Sequence, residues 1–193
     1  MSVFRWTAPL FKFAGRRWSE DDFEAVAERL RPFVPATGVF ADLGGGTGDL
    51  GTGVARALDA RVIVIDPTSQ MLSRVDSHPL VSVCRSGAEH LPFPDGYFDA
   101  LLCCDAFHHM RDQGAAAAEM ARVIRTGGGL LMMEFEPKSG NSHLASFERL
   151  LGEPAAFRTM TELRSLLGSH GIVGDSTPQG RGYLYLGTVR PSP

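Results

Sequence analysis

A glycine-rich turn followed by an isolated aspartate supplies the groups that a nucleoside-type ligand needs. The turn, from Asp42 to Gly48, separates a short apolar run from a helical pattern. Its glycines let a ligand approach bare backbone, and the helix start offers unpaired N–H groups. Asp66 ends a second apolar run eighteen residues after Gly48, where a carboxylate can accept both hydroxyls of a ribose. This order predicts a nucleoside-cofactor site at the carboxyl edge of an open sheet; the alternative is a plain turn with two surface acids.

Asp42 decides which nucleoside cofactor the turn favours. Residues 46–51 also spell the dinucleotide fingerprint GxGxxG, which is weak evidence by itself. A carboxylate at Asp42 would face the phosphates of a dinucleotide, which is electrostatically unfavourable, whereas it suits a cationic amino group. The turn therefore favours a positively charged nucleoside over a dinucleotide.

Three residues that could remove a proton follow the fourth predicted strand. Asp105, His108 and His109 come directly after residues 98–104, whose carboxyl end should flank the reacting group. Histidine titrates near neutrality and suits the role of a general base. The alternative is that one of the two histidines packs in the core or caps the next helix.

A metal site at this position is not expected. Cys103 and Cys104 precede the three candidate bases, but neighbouring side chains on a strand point to opposite faces, and no second pair of ligands is apparent. Both cysteines are predicted to lie in the core or in the wall of a cofactor pocket.

The elements that position these groups alternate between strand and helix. Apolar runs predict strands over residues 39–43, 61–66, 80–84, 98–104 and 130–134. Helical patterns lie between them over residues 50–58, from a Thr68 cap to about Val75, and over 115–124. A helix after Thr159 and two strands, over 172–175 and 183–189, follow. The prediction is an α/β fold: a Rossmann-like open sheet, mostly parallel, with a C-terminal antiparallel strand pair and helices on both faces.

Residues 1–37 are predicted to form an N-terminal helical lid segment, and residues 38–193 the main domain. The first 18 residues hold five aromatic rings and four basic residues but no acid. Such a segment suits an apolar or anionic substrate or a membrane surface; a helix that packs its aromatic rings on the core is the alternative. Residues 137–157 are expected to form the other wall of the substrate site.

Composition limits the kinds of partner. The chain has 193 residues, of which 44% are hydrophobic, and a net charge of −3. This balance disfavours bulk nucleic acid as the main partner. Three cysteines suggest a reducing, cytoplasmic setting, and no apolar run is long enough for a membrane span or a signal peptide.

Together these motifs resemble the class I S-adenosylmethionine-dependent methyltransferases, and most closely the broad group that includes the ubiquinone/menaquinone-biosynthesis C-methyltransferases. The likeness covers roughly residues 39–134. It implies that S-adenosylmethionine is the cofactor. It also implies that four residues of the turn hold the methionine moiety: Asp42, Gly44, Gly46 and Gly48.

The resemblance further implies contacts to the nucleoside part of the cofactor. Asp66 matches the family's ribose-binding acid, and Met71 matches the methionine that lies against adenine. Ala88 and Glu89 begin the stretch that matches the family's contacts to the adenine edge. The remaining implied cofactor-binding residues are Pro67 and Cys103.

This chain departs from the family pattern at three places. Gly87 stands where the family often has an aspartate that binds the adenine amine. Residues 106–109 replace the Gly-Leu-Arg-Asn that follows the fourth strand in the strict quinone enzymes. Residues 11–12 also lack the Tyr-Asp that the family carries near its N-terminus.

The sequence as a whole predicts methyl transfer to a small-molecule acceptor that is quinone-like or otherwise apolar or anionic. A non-catalytic S-adenosylmethionine-binding module is the alternative that Gly87 supports. An NAD-dependent oxidoreductase is less favoured, because Tyr97, Tyr183 and Tyr185 lack a lysine four residues on. Contact with a membrane surface is not required, and the sequence leaves open the acceptor atom and the oligomeric state.

Overall fold

A seven-stranded sheet forms the centre of the protein. The computed structural model describes residues 18–136 and 156–191. The strands are β1 (Val39–Leu43), β2 (Arg61–Ile65), β3 (Val81–Cys84), β4 (Phe98–Cys104), β5 (Ile124–Phe135), β6 (Ile172–Gln179) and β7 (Gly182–Val189). Their order is β3-β2-β1-β4-β5-β7-β6. The first five are parallel, and β7 runs antiparallel to both of its neighbours, which confirms the predicted fold class.

Helices cover both faces of the sheet. They are α1 (Glu20–Leu30), α2 (Asp49–Leu58), α3 (Ser69–Leu72), α4 (Gln113–Val123) and α5 (Met160–Ser169), with a 3-10 turn at Phe107–His109. One apolar cluster joins the sheet to α4 and α5, and the other joins it to α1 and α2. Because every central strand is covered on both sides, β1, β2 and β4 are almost wholly apolar.

Strand register brings the predicted site residues to one edge. In the parallel ladders Asp42 of β1 lies beside Val64 of β2 and Leu102 of β4. The carboxyl ends of these strands therefore meet, and so do the segments that follow them, which carry the glycine turn, Asp66 and the candidate bases.

The first and the last described helix begin with the same hydrogen-bonding motif, a capping box. Ser19 and Asp22 form a capping box at α1, and Thr159 and Glu162 form the predicted one at α5. Helix α1 packs against α2, where the ring of Phe23 occupies the space beside Gly53. Residues 1–17 of the expected lid and residues 137–155 of the expected wall lie outside the described residues, so the division at residue 38 stays a prediction.

Three boundary predictions were wrong, and one of them is strand β6, which runs to Gln179 and does not end at Asp175. Helix α3 ends at Leu72, short of Val75, and the Thr68 amide donates to Asp66 while its hydroxyl makes no cap. Strand β5 begins at Ile124 and not at Leu130, because the register with β4 shifts between Phe98 and Ala100 and takes the three glycines into the strand. Within the described residues, no helix is long and apolar enough to cross a membrane.

Candidate cofactor and catalytic site

The glycine turn is held open by backbone hydrogen bonds to the next strand. The amides of Gly44 and Gly45 donate to the carbonyl of Ile65 at 2.7 and 3.3 Å. Gly44, Gly46 and Gly48 have φ values of +73°, +56° and +75°, which disfavour any residue with a side chain. No atom of the described residues lies within 4 Å of the point where a Cβ of Gly46 would stand, so among them this backbone faces open space. The turn therefore has room for a ligand against its backbone.

Asp66 ties this turn to the end of β2. Its Oδ2 accepts the Gly46 amide at 3.2 Å and its Oδ1 accepts the Thr68 amide at 2.7 Å. Burial raises the pKa of Asp66, against the lowering effect of the hydrogen bonds from Thr68 and Gly46. The carboxylate keeps further lone pairs beside the open face of Gly46, where two ribose hydroxyls could donate. This placement fits a nucleoside.

The side chain of Asp42 is buried beneath the glycine turn and does not line its open side. Only 2% of the residue is exposed, and its Oδ2 accepts the Gly51 amide at 3.1 Å. Burial raises the pKa of the Asp42 carboxyl to about 7, against the hydrogen bond from Gly51 and with help from the charges of Asp66 and Asp49. Asp42 thus shapes the turn and helix α2 from below; its contact with a cationic amino group stays a prediction.

Gly51 must be glycine because Asp42 fills the space beside it. A Cβ at Gly51 would lie 2.5 Å from Oδ2 of Asp42. We expect Gly51→Ala to lower the free energy of unfolding by roughly 2–3 kcal/mol, although glycine to alanine within a helix is ordinarily stabilising. In the part of the chain that the structure describes, Gly168 in α5 has nothing within 4 Å of its Cβ position, so Gly168→Ala is the matched control and should stabilise by about 0.5–1 kcal/mol. Urea unfolding of the two variants measures both; equal effects would contradict the packing of Asp42 on Gly51.

Asp42 should also make stability depend on pH. Its folded-state pKa of about 7 lies above the ordinary 3.8, so the folded protein holds a proton that the unfolded chain releases as the pH rises. Stability should therefore fall between about pH 4 and pH 7, by about 1.4 kcal/mol per pH unit at most. In Asp42→Asn this contribution is absent. Urea unfolding of both proteins at pH 5, 6 and 7 tests this, and a wild-type minus variant difference that does not change with pH would contradict it.

The candidate bases separate into different environments. His108 is 3% exposed, and its Nδ1 lies 2.6 Å from Oε2 of Glu134. His109 is half-buried, with its ring centroid 4.1 Å from that of His108. Asp105 has φ +49°, and its amide donates to the carbonyl of Met133. The structure thus gives His108 a buried carboxylate partner, Glu134.

Glu134 organises the turn that carries His108. Its Oε1 accepts the amides of Ala106 and Phe107 at 3.1 and 2.7 Å, while Oε2 faces His108. A carboxylate that accepts at Nδ1 holds the ring proton there and leaves Nε2 as the basic nitrogen. The arrangement is that of a histidine base with an orienting carboxylate.

Sequence reasoning missed Glu134 as a site residue. It is the one acid in the otherwise apolar stretch from Leu130 to Phe135, and it is 6% exposed. A charged residue at the end of a buried strand needs hydrogen-bonding partners, so its position after an apolar run could have identified Glu134 as a candidate site residue. Its pairing with His108, 26 positions earlier, depends on β4 and β5 being neighbours.

The other predicted cofactor residues occupy varied positions. Met71 and Ala88 are buried, and Pro67 is exposed beside Asp66. Both amides that Glu89 accepts, from Arg111 and Asp112, belong to the segment before α4. Cys103 has no exposed surface, and burial raises the pKa of its thiol well above the ordinary value. Cys103 is thus a core residue beneath the site, and the cofactor roles of all five residues stay predictions.

Comparison with known proteins identifies the domain. Residues 41–132 match the model of the family described as "Methyltransferase domain", a range that includes the glycine turn, Asp66 and the candidate bases. This chain contains a class I S-adenosylmethionine-dependent methyltransferase domain. S-adenosylmethionine is the cofactor of this family, and the open backbone of Gly46 beside Asp66 fits it.

Relatives of the methyltransferase domain include the ubiquinone/menaquinone biosynthesis C-methyltransferase UbiE of Chromobacterium violaceum. It is 39% identical over 101 residues, which is 49% of this chain and 41% of that protein. The chain spans about half the length of the curated relatives that it matches.

Solved structures share the fold over almost the whole chain. One is the methyltransferase in complex with the Trm112 methyltransferase activator from Haloferax volcanii, with a TM-score of 0.82, 16% identity and 99% of each chain covered. Another is an S-adenosylmethionine-dependent methyltransferase of Thermotoga maritima, with a TM-score of 0.76 and 19% identity, covering 97% of this chain and 99% of that one. At these identities the likeness shows the fold.

Proposed function

We propose that this protein transfers the methyl group of S-adenosylmethionine to a small-molecule acceptor that must lose a proton. The observation that carries the proposal is the contact between the cofactor side and the proton-accepting side of the site. The Cβ of Ala106, in the turn held by Glu134, lies 2.4 Å from the point where a Cβ of Gly44 would be, so the two sides touch. Methyl transfer needs such alignment more than elaborate chemistry.

Each side has a distinct task. The backbone of the glycine turn and the Asp66 carboxylate bind the nucleoside, and Asp42 fixes the turn from below. When bound, S-adenosylmethionine supplies a methyl group on a sulfonium. His108, oriented by Glu134, accepts the acceptor's proton at Nε2. A base in this position contributes typically 10²- to 10⁴-fold to a rate.

The acceptor class follows from the need for a base. A phenol, an enol or a carbon acid becomes a better nucleophile when it loses a proton. Each of these acceptors therefore needs a general base, the role proposed for His108 with Glu134. The relatives named for ubiquinone and menaquinone biosynthesis support an acceptor of the quinol kind. The sequence at residues 106–109 differs from theirs, so an acceptor with a different ring is compatible with the same proposal.

Calorimetry and product analysis test the proposal in two steps. Isothermal titration with S-adenosylmethionine, S-adenosylhomocysteine and NAD should show binding of the first two alone. Mass spectrometry of a cell-extract reaction with isotope-labelled cofactor methyl should then show one new labelled small molecule. Tight binding of S-adenosylhomocysteine with no labelled product would instead indicate a non-catalytic binding module, and binding of NAD would indicate an oxidoreductase.

A further inference from the structure

The segment Ala156–Arg158 is joined directly to the turn that carries His108. The Ala156 amide donates to the His108 carbonyl at 3.0 Å, and the ring of Phe157 stacks on the His108 ring with centroids 4.3 Å apart. Nε2 of Gln113 donates to the carbonyls of both Phe107 and Ala156, at 3.1 and 2.8 Å. The residue that follows Phe157 therefore belongs to the surroundings of the proposed base.

Arg158 is fixed at its backbone and at one end of its guanidinium. The Arg158 carbonyl accepts the Tyr183 hydroxyl at 2.9 Å, and its Nε donates to Oε1 of Gln113. Both partners are almost wholly buried, at 2% and 6% exposed. Arg158 thus has less freedom than a surface arginine, and its guanidinium is oriented before any ligand arrives.

The outer nitrogens of this half-buried guanidinium have no acidic partner. Within residues 18–136 and 156–191, Nη1 and Nη2 of Arg158 make no hydrogen bond or ion pair. By contrast, the half-buried Arg122 and Arg125 form ion pairs with carboxylates. Nε of Arg122 lies 2.6 Å from Oε1 of Glu119, and Nε of Arg125 lies 2.9 Å from Oδ1 of Asp99. Glu134 already accepts two amides and the His108 ring, so its hydrogen-bonding positions are largely filled. A partly desolvated cation in this state favours an anion from outside the protein.

We propose that Arg158 binds an anionic group, such as a carboxylate, on the methyl acceptor; this inference rests on the proposed function and makes its substrate class narrower. The planar fork of a guanidinium matches a carboxylate bidentately. The acceptor then carries two features, a proton that His108 removes and an acid group that Arg158 holds.

Matched acid and amide probes test this inference on the full chain loaded with S-adenosylhomocysteine. The probes are 4-hydroxybenzoate, salicylate and indole-3-acetate, each beside its neutral amide, measured by isothermal titration. At least one acid should bind more tightly than its amide. Arg158→Gln should weaken that acid about 10- to 100-fold and leave the amide unchanged, while Arg158→Lys should recover part of the loss. The control is Arg164→Gln, which removes an exposed arginine paired with Asp175 and should change neither probe.

The outcomes separate this inference from the proposed function. If S-adenosylhomocysteine does not bind to the wild type, the proposed function itself is overturned. If it binds but no acid is preferred to its amide, the role of Arg158 is overturned and the proposed function stands. Equal weakening of acid and amide in Arg158→Gln would show that Arg158 supports the packing around Tyr183 without binding the anion, and would also overturn the inference.

Discussion

Replacing Asp66 with alanine should weaken the binding of S-adenosylmethionine about a hundredfold or more. Two effects add in this variant. The ribose hydroxyls lose a charged acceptor, and such hydrogen bonds contribute roughly 1.5–3 kcal/mol each, while a tenfold loss of affinity corresponds to about 1.4 kcal/mol. The Gly46 amide also loses the bond that holds the turn to the end of β2. Isothermal titration of the purified variant measures the loss directly.

Asp76→Ala is the matched control for this experiment, because Asp76 is an exposed acid shortly after the same strand. It should leave affinity within twofold of the wild type. A thermal unfolding curve shows whether Asp66→Ala is folded, since Asp66 also accepts the Thr68 amide. A folded Asp66→Ala protein with wild-type affinity would mean that the ribose does not bind at the end of β2.

Glu134→Gln and His108→Ala should each lower the turnover of labelled methyl about 10²- to 10³-fold and leave the dissociation constant of S-adenosylmethionine unchanged. The glutamine is isosteric, but its oxygen is needed by the amides of Ala106 and Phe107. Its NH₂ group then faces Nδ1 of His108, which must become the acceptor, and the ring proton moves to Nε2. The ring in this tautomer cannot take a proton from the acceptor. Initial rates of label transfer, with titration of the cofactor, separate the chemical step from binding.

The controls for this experiment distinguish a base from a structural pair. His170→Gln changes a histidine at the end of α5 and should keep full turnover. Glu134→Asp retains the charge and should recover part of the rate lost in Glu134→Gln. Full turnover in His108→Ala would remove His108 from the mechanism, and a greater loss in His109→Ala would transfer its role to the half-buried neighbour.

The parts of the fold and site that the sequence predicts are those that depend on local patterns. Apolar runs mark the strands, and glycines with a following acid mark the turn and Asp66. The predicted antiparallel pair at the C-terminus follows from a connection too short for a helix, and β6 and β7 confirm it.

What the sequence does not predict depends on groups that are far apart along the chain. The pairing of Glu134 with His108 and of Gln113 with Arg158 spans 26 and 45 positions and depends on which elements are neighbours. The bond between Asp42 and the amide of Gly51, nine positions later, also places the carboxylate beneath the turn, and its contact with a ligand stays a prediction.

The contact of Ala106 with Gly44 limits how this protein could acquire a new substrate. A larger side chain at residue 106, introduced to reshape the acceptor pocket, would press against the backbone of Gly44. This backbone belongs to the turn that is proposed to bind the methyl donor. Larger residues at this position should therefore trade donor affinity for acceptor choice. A directed-evolution campaign would do better to begin at Phe157 and Arg158, whose described contacts are with residues such as His108, Gln113 and Tyr183.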